Sequence, residues 1–130
     1  MMIKIQKTPK DSKIVAKAIL VDPKGRVLLL KRTSYMKKFA NELDLPGGHV
    51  HIGEDIVTGL LREVKEETDL DLTRWEFVKK VKNIHFYLCE CKNFNIKLSD
   101  EHSEYLFKEV DHLDINNRFE NICKEILGHE

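Results

Sequence analysis

The chain has 130 residues, 42% hydrophobic and 34% charged, a balance typical of a folded domain and far from the disordered range. Its 22 Lys and Arg match its 22 Asp and Glu, so no global basic field exists to hold a long nucleic acid, and a charged ligand must be met by local charge. The longest apolar runs, Ala18–Val21 and Val27–Leu30, are too short for a membrane span or a signal-peptide core, and three cysteines without a Cys-x-x-Cys pair argue against a disulfide framework. One cytoplasmic domain over residues 1–130 is the expectation.

Residues 1–12 are mostly polar, contain Pro9, and read as a loose lead-in or a short edge strand. Lys13 to Val21 is β-branched and apolar. Asp22-Pro23-Lys24-Gly25 then sets Pro at i+1 and Gly at i+3 of a turn, and Arg26 to Leu30 continues as a strand, so residues 13–32 predict a hairpin. A basic, turn-rich loop follows over Thr33 to Asn41, and Leu43-Asp44-Leu45 runs extended into Pro46-Gly47-Gly48. Glu54 to Thr68 is the best helix, because Val57, Leu60, Leu61 and Val64 fall at i, i+3, i+4 and i+7. Trp75–Lys82, Ile84–Cys91, Phe94–Leu98 and Tyr105–Val110 read as strands. Asn116–Leu127 closes the chain as a helix, with Phe119, Ile122, Cys123, Ile126 and Leu127 at helical spacing. Interleaved strands and helices place the fold in the α/β or α+β class with a mixed sheet.

The chemistry concentrates in residues 47–70. Glu63, Glu66 and Glu67 stand at i, i+3 and i+4, so their carboxylates share one side of the helix. That side lies a quarter turn or more from the apolar stripe, which leaves it free to face a cleft. Three clustered carboxylates repel one another, and a hard cation such as Mg²⁺ or Mn²⁺ offsets the repulsion. Arg62, four residues before Glu66, offers a different partner, and an acidic run of this kind taken alone is an ordinary solvated helix face.

The spacing as a whole resembles the Nudix box, Gly-x5-Glu-x7-Arg-Glu-U-x-Glu-Glu-x-Gly-U with U apolar. Gly48, Glu54, Arg62, Glu63, Val64, Glu66, Glu67 and Leu70 occupy its positions, and only the last glycine is replaced, by Asp69. Asp tolerates the left-handed geometry needed there better than most residues. The Leu-Pro-Gly-Gly turn before the box and the acidic segment at 100–104 agree with the family. Leu43 stands where many members have Trp, and His51 and Ile52 stand at positions that are frequently acidic.

The resemblance implies an α/β/α sandwich on a mixed sheet, with the box as loop–helix–loop, and Mg²⁺- or Mn²⁺-dependent hydrolysis of a diphosphate linkage. By the same resemblance, Glu63, Glu66, Glu67 and the Gly47 carbonyl hold metal, and Glu101 or Glu104 supplies a general base. Lys31 and Arg32 sit where members often meet phosphate. Gly48, Glu54 and Arg62 are structural, Glu54 as a carboxylate at the helix N-terminus and Arg62 as a tether. Gly59 is expected on the acidic face, where it leaves space beside the metal. Tyr87, seventeen residues beyond Leu70, lies near a tyrosine that marks many diadenosine polyphosphate hydrolases. The implied substrate is a small nucleotide, a nucleoside triphosphate or dinucleoside polyphosphate. ADP-ribose or nucleotide-sugar cleavage and a binding-only nucleotide module are the alternatives. An isoprenoid diphosphate isomerase of the same fold would need an early cysteine, and the first here is Cys89.

Overall fold

A computed structural model describes residues 11–128. Its two central strands, β1 (Asp11–Leu20) and β2 (Arg26–Arg32), carry apolar runs at 14–16, 18–20 and 27–30, and the strand period of two sends these residues to opposite faces. Ala16, Ala18, Leu20, Leu28 and Leu30 join one core with residues of helix α1 (Ile56–Thr68). Ile19, Val27 and Leu29 join a second core with residues of helix α2 (Arg118–Leu127). A helix therefore covers each face of the β layer, the expected α/β/α arrangement.

The remaining strands are β3 (Leu43–Asp44), β4 (Gly47–His51), β5 (Leu72–Val81), β6 (Ile84–Cys91) and β7 (His102–Glu109). They complete a four-stranded sheet of order β4-β1-β6-β5 and a three-stranded sheet of order β3-β2-β7. The first is mixed, because β1 runs parallel to β6 and antiparallel to β4.

The expected hairpin over 13–32 is corrected by this topology. Its turn forms, with the Gly25 N–H donating to the Asp22 carbonyl at 2.9 Å and the Asp22 carboxylate accepting from the Lys24 and Arg26 N–H groups. Only one bridge, Val21 to Val27, joins the two strands, which then enter different sheets. Both are buried on both faces, so each satisfies its backbone with a neighbour on either edge.

Phe94–Leu98 is likewise not a strand. Phe94, Ile96 and Leu98 pack on the first core as their alternation predicts, but the Lys97 and Ser99 N–H groups donate to the Thr68 and Glu67 carbonyls at 2.9 and 3.1 Å. The segment thus satisfies carbonyls that the end of α1 leaves open. Helix α1 starts two residues later than expected, after Asp55, and ends where Asp69 takes φ 64°, the left-handed cap foreseen for it. Gly59 faces Val50 and Glu54, where an added Cβ would find atoms at 3.0 Å, so it serves close packing rather than space for a metal. Tyr87 is a core residue, packed edge-on against Phe77. Of the lead-in, residues 1–10 lie outside the described residues, and Asp11 and Ser12 open β1. No helix among the described residues is long and apolar enough to cross a membrane.

Candidate active site

Two glycines set the approach of backbone to carboxylate. Gly47 has φ +125°, and a Cβ there would stand 2.1 Å from the Ala16 carbonyl oxygen of the neighbouring strand, so only glycine fits. At Gly48 a Cβ would lie 2.3 Å from Oε1 of Glu63. The turn into β4 therefore presses against the acidic side of α1. Glu67, buried on that side, accepts the Gly47 N–H at 3.0 Å. Burial pushes the Glu67 carboxyl up to about 8, opposed by Lys17 and the Gly47 N–H and reinforced by Asp44 and Glu63. Burial also raises Glu63, offset in part by Arg62 and added to by Glu66 and Glu101.

Arg62 gathers the surroundings. Its Nε and Nη2 grip the two oxygens of Glu54 at 2.8 and 3.0 Å, Nη1 donates to Glu63 at 2.7 Å, and Nη2 also reaches the His49 carbonyl at 3.0 Å. The same guanidinium holds Glu66 at 3.3 Å, with the Glu66 side chain 57% exposed. The expected convergence of three carboxylates is therefore not formed. Glu63 and Glu67 line the cavity, whereas Glu66 stays at its exposed margin and shares Arg62 Nη1 with Glu63. Glu54 precedes the helix rather than sitting in its first turn, and its carboxylate also accepts the His51 N–H at 2.8 Å. Its work is to tie the 51–54 loop to α1 through Arg62, which holds its carboxyl down to about 2.

Glu63, Glu67, Gly47 and Gly48 open onto a cavity of about 560 Å³. Glu101 and Arg32 line the same cavity, whereas Glu104 and Lys31 do not. These last two face each other across the β2–β7 ladder as an exposed pair at 3.9 Å. Arg32 donates from Nε to the Lys38 carbonyl at 3.1 Å and from Nη1 to Asp44 at 3.3 Å. Glu101 is placed by its neighbours. Its carbonyl accepts the Thr33 N–H at 3.0 Å, and the adjoining Asp100 carbonyl accepts the Tyr35 hydroxyl.

Beneath the cavity lies a buried charge network. Lys17 Nζ donates to Asp44 Oδ1 at 3.0 Å and to the Leu45 and Gly47 carbonyls, each at 3.1 Å. Burial alone would raise Asp44, but Lys17 and His102 beside it hold its carboxyl well below the usual range. Beyond Lys17, whose ammonium lies 5.3 Å from the Phe119 ring centre, the wall continues as Phe119, Arg118 and Phe39.

The NUDIX domain profile matches residues 11–124. The chain belongs to the NUDIX family. It is 30% identical to Nudix hydrolase 5 of Arabidopsis thaliana over 99 residues, covering 67% of this chain and 32% of that protein. It is 32% identical over 74 residues to the asymmetrical bis(5′-nucleosyl)-tetraphosphatase of Mus musculus, covering 46% and 50% of the two chains. The chain spans between a fifth and a half of the length of the curated relatives it matches. Among solved structures it resembles the MutT protein of Methanosarcina mazei Go1, with a TM-score of 0.66 at 24% identity over 94% of this chain and 96% of that one.

In the NUDIX frame, the loop–helix–loop box is β4, the 52–55 loop and α1. Where Glu63 and Glu67 meet the Gly47-Gly48 turn the donors are carboxylate and carbonyl oxygens, which suit a hard divalent cation, and no thiol among the described residues lines the cavity. Two inward carboxylates with raised pKa, meeting a turn whose glycines leave no side chain between them, are a donor set that a cation would complete. Among the described residues no three His, Cys, Asp or Glu side chains converge closely enough to hold one ion. Sequence reasoning missed Lys17, Asp44, His102, Phe39, Arg118 and Phe119. A signal existed for two of them, since a lone Lys within IVAKAILV and a lone Asp within LDLP are charges inside core strands, and buried charge demands a partner.

Proposed function

We propose that this NUDIX chain hydrolyses a phosphoanhydride bond of a nucleoside triphosphate or dinucleoside polyphosphate with Mg²⁺ or Mn²⁺. The observation that carries the reading is the pair of inward carboxylates, Glu63 and Glu67, meeting the Gly47-Gly48 turn in a cavity large enough for a nucleotide. Glu63, Glu67 and the Gly47 carbonyl would hold the ion, with Glu66 a further carboxylate on the same side of α1. Such an ion neutralises phosphoryl oxygens and lowers the pKa of a bound water.

The chain's own residues divide the remaining work. Arg32 and Lys38 bring positive charge to the cavity wall, where substrate phosphates would lie. Glu101, in the same cavity, is the candidate to take the proton of the attacking water, in preference to Glu104, which pairs with Lys31 outside it. Lys17 fixes the Gly47 carbonyl and thereby the turn on which the site depends. Likeness to a bis(5′-nucleosyl)-tetraphosphatase supports a dinucleoside polyphosphate within this substrate class. The unpaired cysteines Cys89, Cys91 and Cys123 suit a reducing, cytoplasmic setting, where we propose that the chain acts.

The test is incubation with Mg²⁺ and canonical nucleoside triphosphates, diadenosine polyphosphates, ADP-ribose and nucleotide sugars, with products separated by chromatography. Cleavage confined to the first two groups is the expected result. Preference for ADP-ribose or a nucleotide sugar would reassign the substrate, and tight binding without turnover would make the chain a nucleotide-binding module.

A further inference from the structure

Arg118 is the first residue of α2, and aromatic rings flank its guanidinium. The guanidinium carbon lies 3.8 Å from the Phe39 ring centre and 4.2 Å from that of Phe119. Contacts this close are stacking contacts, and they leave the N–H groups at the guanidinium edge as the part still able to bond. Among the described residues no carboxylate or carbonyl takes up those donors. All three side chains line the cavity.

The clamp has one fixed and one adjustable half. Phe119 is buried and packs against Phe86. Phe39 sits in the 33–41 loop at φ 57° with 42% of its surface exposed. A bulky residue in left-handed backbone is strained, and such strain collects at ligand clamps. Along the wall, Gly47 and Lys17 stand between Glu67 and the clamp. The wall runs from Glu67 to Gly47, from Gly47 to Lys17, from Lys17 to Phe119, and only then to Arg118. With phosphates at the glycine turn, the nucleoside would extend toward Arg118.

We propose that Arg118 reads the nucleobase and selects a 6-oxopurine, guanine or hypoxanthine, through its adjacent N7 and O6 acceptors. The inference rests on the reading of this cavity as a nucleotide site. A guanidinium edge matches two neighbouring acceptors, whereas adenine sets its N6 donor beside N7 and opposes the arginine N–H groups. Stacking on two rings restrains the guanidinium before the base arrives, so little ordering remains to be done on binding.

Calorimetric titration of the full chain without divalent metal, using GTP, ITP, 7-deaza-GTP, ATP, CTP and inorganic triphosphate, tests this. GTP and ITP should bind at least about tenfold tighter than ATP, CTP and 7-deaza-GTP, as expected for a bidentate base contact. Arg118→Met should bring the five nucleotides within about twofold of one another, and Arg118→Lys, which keeps the charge and loses the fork, should do nearly the same. Phe39→Ala frees one face of the guanidinium and leaves the sequence of α2 unchanged, and should narrow the preference if the Arg118 variants fold poorly. Equal binding of all five nucleotides by the unaltered chain would overturn the proposal, as would a preference for CTP. Equal weakening of every compound by Arg118→Met, inorganic triphosphate included, would make Arg118 a phosphate contact instead. A guanine preference without Mg²⁺-dependent turnover would sink the hydrolase reading and leave this one standing; turnover without base preference would do the reverse.

Discussion

Lys17 is the single charged side chain between Ile14 and Val21, and the fold closes around it. Its ammonium and the Asp44 carboxylate are both almost wholly buried, with side-chain exposures of 8% and 3%. Removing Lys17 takes away the ammonium at 3.0 Å and leaves the buried Asp44 carboxylate to the Leu45 N–H at 2.8 Å, Arg32 at 3.3 Å and His102 at 3.4 Å. Lys17→Met is expected to destabilise the chain by about 2–3 kcal/mol, below the full cost of an uncompensated buried charge, measured by urea unfolding, and Lys17→Met with Asp44→Asn should recover part of the loss. A loss below about 1 kcal/mol in the single variant would show that Asp44 finds other support. His102 enters the same network through Nε2, 3.4 Å from Asp44, while its buried Nδ1 has no partner among the described residues. Sequence spacing carries no trace of that contact, because it joins residues 58 positions apart.

At the scale of elements, the box is a mechanical unit as much as a chemical one. Arg62 binds β4, the following loop and α1 together through the His49 carbonyl, Glu54 and Glu63. The sign of the pH dependence follows from Glu54. Its carboxyl is lowered in the fold from 4.5 to about 2, so its stabilisation is fully present above about pH 4.5 and is lost as pH falls toward 2. Thermal melts between pH 6 and 2 should show a steeper acid decline for the unaltered chain than for Glu54→Gln. Parallel curves would contradict the assigned role. The box was readable because its spacing is local: helix period, glycine turn and carboxylates all lie within residues 47–70. The hairpin and the strand at 94–98 were misread for the opposite reason. Alternation and turn chemistry identify extended segments but not their partners, and here β1, β2 and residues 94–98 take partners distant in sequence. The aromatic clamp was invisible too, since Phe39 and Arg118 meet only after the 33–41 loop folds onto the start of α2.

Across the whole molecule, the strand period that sorts β1 and β2 between two helices also builds the site. One face of β1 supplies the core under α1, and Lys17 on the other face reaches the turn into β4. The cavity draws on both sheets, Gly47 and Gly48 from one and Arg32 and Asp44 from the other. Because both cores draw residues from the same β1 and β2, they should unfold together. Urea transitions followed by far-UV circular dichroism and by aromatic fluorescence should coincide, and two separated midpoints would show independently folding parts.

That shared architecture buries Glu67 between α1 and the glycine turn, and the proposed function makes this carboxylate its central group. The most direct measurement is nucleoside triphosphate turnover as a function of Mg²⁺, for the unaltered chain and for Glu67→Gln. Turnover should be absent in EDTA, rise with Mg²⁺, and fall at least about 100-fold in the variant, since loss of partners one step removed from a metal already costs about 10–100-fold. Turnover that persists without metal, or that survives the Glu67 substitution, would contradict a metal-dependent hydrolase site at this carboxylate.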